Sequence, residues 1–125
     1  MIDIKKLQKA AVAALEDIKA RDIEVFDVAH LTSMFDRVII ASAGSARQLR
    51  AVSSHLRERA KASGGQVYGV EGEDGGDWVL IDLGDIIVHI MQPSVRSHYN
   101  LEELWGQPKP RKPRAKRPGA SARKK

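Results

Sequence analysis

The run WVLIDLGDIIVHIM, Trp78 to Met91, constrains the fold more than any other part of this chain. It reads as two strands joined by the two-residue turn Gly84-Asp85, the loop length of a tight antiparallel hairpin. Such a loop fixes the register, so Leu83 pairs with Ile86, Ile81 with Val88 and Val79 with Ile90. All six are aliphatic, and six aliphatics on one face mark a core. The opposite face carries Trp78, Leu80 and Asp82 beside Met91, His89 and Ile87. It mixes a large aromatic, a carboxylate, an imidazole and a thioether. Such a face is either a second core or a place where something binds.

Length and charge set the frame for that choice. At 125 residues the chain has room for one domain and little more. Residues 1–105 hold 12 Lys/Arg against 16 Asp/Glu, whereas residues 106–125 hold 9 Lys/Arg and no acid. The net charge of +5 therefore belongs to a tail, and the folded part is mildly acidic. A general nucleic-acid-binding fold carries its basic patch on the domain itself, which argues against that class. Cysteine is absent, excluding disulfides, thiolate zinc sites and cysteine nucleophiles. The first twenty residues include Asp3, Glu16 and Asp17 and lack the apolar stretch of a signal peptide. No segment approaches the roughly 20 apolar residues needed to span a bilayer. The expectation is a cytoplasmic chain with no membrane association.

Ile4, Leu7, Ala11, Ala14, Leu15 and Ile18 recur at three- and four-residue steps, predicting an amphipathic helix over about 3–20 with Asp3 as its cap. Two short strands follow, over 24–28 and 36–42, the second a near-continuous apolar run suited to an inner strand. Ser42-Ala-Gly-Ser45 turns the chain into a second helix, 46–62, which Gly64-Gly65 ends. A strand over 66–70 leads through EGEDGGD into the hairpin. After Pro93 comes a short helix or turn carrying Arg96, Tyr99, Leu101, Leu104 and Trp105. The order α-β-β-α-β-β-β implies an α/β domain over 1–105: a five-stranded mixed sheet with two main helices, both on the aliphatic face. The Trp78/His89 face is then expected to stay partly open. Residues 106–125 are Pro-rich and basic without a large apolar residue, the composition of a disordered tail.

Three patterns invite a chemical reading. Gly44-Ser45 between a strand and a helix could hold a phosphate, though helix capping is the plainer use of serine there. Asp82 and Asp85 are three apart, out of phase on a strand, and should not grip one metal ion together. Asp82 and His89 lie one diagonal step apart on the mixed face, close enough for a cross-strand pair. No nucleophile of defined spacing accompanies them, so a structural or interface pair is the better reading. His30, His55 and His98 show no metal-ligand spacing with one another or with His89. Neither a catalytic group, a metal nor a cofactor is expected.

Trp78, Tyr99 and Trp105 are three of only six aromatics and crowd into one stretch. Aromatics, Met and Arg are enriched in interface hot spots. The candidate contact set is therefore the mixed face and the segment behind it: Trp78, Leu80, Asp82, His89, Met91, Arg96, Tyr99, Leu101, Glu102 and Trp105.

The pieces DIEVFDV, FDRVIIASAGSARQLR, YGVEGEDGGDWVLIDLGDIIVHIM and R-x-x-YNLEELW closely resemble the ribosomal silencing factor family, also called Iojap-like, over nearly all of 3–105. Arg37 departs from the pattern, standing where an uncharged residue is common, and the tail is extra to it. The resemblance implies a domain shaped like a nucleotidyltransferase but without catalysis. It also implies binding to the large ribosomal subunit through its protein number fourteen, on the intersubunit face. Occupying that surface would block subunit joining and repress translation. The basic tail would add non-specific attraction to ribosomal RNA, and a monomer or weak homodimer is expected. Two alternatives stay open: a large-subunit assembly factor, and a small nucleotidyltransferase using Gly44-Ser45 and Asp82.

Overall fold

The computed structural model describes residues 2–106. Helix α1 spans Ile4–Asp17, and the Asp3 carboxylate accepts from the Lys6 amide at 2.9 Å. It stops short of residue 20 because Lys19 enters the left-handed region (φ 63°). The amides of Lys19 and Ala20 then return to the carbonyls of Glu16 and Leu15, closing the last turn. Strand β1 (Arg21–Asp27) begins at once and carries a register shift between Arg21 and Glu24, where Asp22 has φ 51°. Strand β2 is Arg37–Ser42 and helix α2 is Ala46–Ala62. Ser45 and Gln48 cap α2 reciprocally: Ser45 Oγ accepts from the Gln48 amide, and Gln48 Oε1 accepts from the Gly44 amide. The other end of the Gln48 amide donates to the carbonyls of Ile18 and Lys19, tying the start of α2 to the end of α1.

Strands β3 (Gly69–Glu71), β4 (Trp78–Asp82) and β5 (Ile86–Met91) complete a sheet of order β1-β2-β5-β4-β3. Only the β2–β5 pair is parallel. The hairpin register is the predicted one, with Val79 opposite Ile90 and Ile81 opposite Val88. Strand β3 is shorter than the 66–70 expected from alternation. Continuing its register past Gly69 sets residues 66 and 67 against the Gly84-Asp85 turn, which offers no ladder.

Helices α1 and α2 cover the aliphatic face. Leu7, Leu15, Leu49 and Leu56 form one core with all six inward hairpin residues. Burying each such side chain contributes roughly 1.5–3 kcal/mol. The opposite face is partly open, as expected, with Trp78, Leu80, Asp82 and Ile87 half-buried but His89 and Met91 buried. The chain after β5 folds into two short helices, α3 (Pro93–Tyr99) and α4 (Glu102–Trp105), joined through Asn100 in the left-handed region. They cover a second buried cluster of Phe26, Val28, Val38, Ile40 and Met91. The disorder expected of residues 106–125 falls, beyond Gly106, outside the described residues.

Candidate functional site

Residues opposite one another in a sheet share a face, so the pairing maps the mixed face row by row. One row runs Glu24, Ile40, His89, Leu80, Glu71; the next runs Phe26, Val38, Ile87, Asp82, Gly69. The β1–β2 half lies under α3 and α4. The other half forms a shelf, with Leu80, Ile87, Asp82 and Trp78 partly exposed and Glu71 exposed at its edge. Tyr99 walls the shelf, its ring 4.9 Å from that of Trp78 and 55 % exposed.

Beneath this wall the Trp78 Nε1–H donates to His89 Nδ1 at 3.1 Å. Burial pushes the His89 imidazole down to about 4. The ring is thus neutral near pH 7, with its proton on Nε2, and serves as a fixed acceptor under the indole. An aromatic anchor held from below and walled by a second aromatic is preorganised for contact.

The family model described as ribosomal silencing factor during starvation matches residues 2–125. The chain belongs to the ribosomal silencing factor family. A ribosomal silencing factor from Chromobacterium violaceum is 44% identical over 109 residues, covering 87% of this chain and 89% of that relative. A crystal structure of a Chromobacterium violaceum protein superposes with a TM-score of 0.83 at 42% identity, covering 91% of this chain and 95% of the other. One from Bacillus halodurans gives 0.74 at 34% identity, covering 81% and 94%. The mixed sheet and its two covering helices are therefore a fold shared with both solved structures.

Several expected site residues are placed differently by the silencing-factor fold. Met91 is fully buried, because α3 and α4 close over it, and offers no contact surface. The Asp82–His89 pair is replaced by two local bonds. Asp82 Oδ1 accepts from the Gly84 amide at 2.8 Å, holding the turn, while His89 takes the indole. Arg96 and Glu102 are bonded to each other at 2.7 Å and lie mostly buried. Leu101 and Trp105 are half-buried against the second cluster, Trp105 edge-on to Phe35. Trp78, Leu80, Asp82 and Tyr99 stay at the surface, over His89. Ile87 and Glu71, outside the expected contact set, join them. The hairpin register already put Ile87 there; Glu71 depended on a three-residue strand whose register the sequence does not display.

The nucleotidyltransferase alternative finds little in this geometry. Ser45 Oγ and the Gly44 amide are both engaged in capping α2. Among the described residues no group of three or more His, Asp and Glu could hold a metal ion. His55 pairs with Asp17 between α1 and α2, and His98 packs edge-on to Tyr99. Among the described residues no helix is long and apolar enough to cross a membrane.

Proposed function

We propose that this silencing factor docks its shelf on the large ribosomal subunit, at protein number fourteen on the intersubunit face, and so prevents the small subunit from joining. The observation that carries this reading is the shelf itself: an apolar floor of Leu80 and Ile87 beside a Trp78–Tyr99 wall that is already assembled in the free protein. Wall and floor supply desolvated contact area, and the acids Asp82 and Glu71 rim it. A domain of this length has a radius of gyration of about 13 Å, and a body of that size seated on the intersubunit face obstructs joining sterically, with no chemistry needed. The action is non-enzymatic and cytoplasmic.

The test is co-sedimentation of purified protein with separated subunits, followed by gradient profiles of cells that lack it. Binding to large but not small subunits, with intact large subunits in the depleted cells, is the expected result. Precursor particles in the depleted cells would instead favour an assembly factor, and absence of large-subunit binding would overturn the proposal.

A further inference from the structure

We infer that Arg96 is a positioning residue: it touches no partner but latches α3 and α4 onto the sheet, so that the Trp78–Tyr99 wall exists before docking. The guanidinium, 10 % exposed, reaches acceptors on three other elements. Its Nε donates to the Glu102 carboxylate on α4 at 2.7 Å, and Nη1 donates to the Asp22 carbonyl at 2.7 Å and Ser42 Oγ at 2.9 Å. Nη2 lies 3.5 Å from the Glu24 carboxylate of β1. The planar fork of arginine can span such a set; the point charge of lysine cannot.

Two further observations give the latch its importance. Neither α3 nor α4 contains a fully buried residue, so both are held by half-buried contacts, by the Gln92 cap bonded to Gly76 and Asp77, and by Arg96, which alone of these bonds α3 to α4 and to strands β1 and β2. Arg96 and Tyr99 stand three apart on α3, hence on neighbouring positions of one helical face. Where Arg96 is anchored, Tyr99 is set against Trp78. The left-handed turn at Asp22 in the β1 bulge belongs to the same device, since it brings the Asp22 carbonyl to the guanidinium. Without the latch the wall is formed only part of the time, and the apparent affinity falls by that fraction.

This inference rests on the shelf being the docking face, and the experiment separates the two. Arg96→Met keeps the apolar stem and removes every donor; Glu102→Gln weakens one arm of the latch and leaves Arg96 in place. Amide hydrogen exchange over residues 93–105 and affinity for isolated large subunits are measured for both, beside Leu80→Lys. Arg96→Met should lose about tenfold in protection over 93–105 and a comparable factor in affinity, with Glu102→Gln between it and wild type. Exchange in α1 and α2 should be unchanged. If Arg96→Met binds weakly while 93–105 stays protected, Arg96 contacts the partner directly and the latch is wrong. Faster exchange with wild-type affinity overturns it too. Should Arg96→Met not fold, the order of Glu102→Gln against wild type decides by the same criteria. If Leu80→Lys binds as wild type, the docking face itself is misplaced, whatever the latch does.

Discussion

The Trp78 indole and the His89 imidazole are joined by a 3.1 Å hydrogen bond across a diagonal of the β4–β5 pair, with histidine as the acceptor. The bond requires an unprotonated Nδ1, and burial keeps it so by pushing His89 from 6.5 down to about 4. The unfolded chain takes up a proton near pH 6.5, the folded chain only near 4. Stability from this group is therefore full above 6.5 and declines as pH falls towards 4. The whole span is at most about 3 kcal/mol. Urea unfolding at pH 7.5 and pH 5 should show wild type losing part of this amount, with His89→Gln showing a flatter dependence. An equal slope in both would remove the burial argument.

The reciprocal cap at the start of α2 also joins that helix to α1. Ser45→Ala removes one amide bond and should cost about 1 kcal/mol. Gln48→Ala removes the bond to Gly44 and both bonds to the end of α1, and should cost more than Ser45→Ala. Midpoints of chemical denaturation check the order of the two.

Gly72 ends β3 at φ 91°, where an added Cβ would sit 2.2 Å from the Trp78 carbonyl oxygen. Gly72→Ala must move backbone against backbone and should cost about 2 kcal/mol or more. Because β3 brings Glu71 to the shelf, large-subunit binding should weaken together with thermal stability. A neutral Gly72→Ala variant would mean that this edge is free to shift.

The tail carries nine Lys/Arg, no acid and no large apolar residue. Deleting residues 107–125 should leave the thermal midpoint within about 2 °C of wild type, given that a 1 kcal/mol loss shifts a domain of this size by several degrees. The same deletion should flatten the salt dependence of ribosome binding. A large drop in midpoint would show that the tail is part of the fold.

Periodicity and turn chemistry sufficed for the main core, because each signal there was local. Gly84-Asp85 set the hairpin register, Asp3 and Ser45 began the helices, and Gly64-Gly65 ended the second. What stayed illegible depends on distant segments meeting. The closure of α3 and α4 over Met91 hangs on Arg96 reaching Asp22 and Ser42, residues 74 and 54 positions away. Once it is closed, a face that alternation left undecided becomes second core on one half and open shelf on the other. Asp82 was drawn to the turn amide rather than to His89 because a neighbour two residues away is cheaper to order than a cross-strand side chain.

The central claim is that the shelf is what the large subunit occupies. Leu80 sits in its floor, half-buried between His89 and Glu71, where a lysine can keep its stem on the floor and its ammonium in solvent beside Glu71, so Leu80→Lys should fold. Docking would then bury an ammonium on an apolar floor, a loss of roughly 2 kcal/mol or more, about thirtyfold in affinity. Light scattering of subunit association in the presence of the variant is the direct measurement. The shelf account predicts that folded Leu80→Lys permits joining at concentrations where wild type blocks it. Joining blocked as strongly by the folded variant as by wild type would contradict the account.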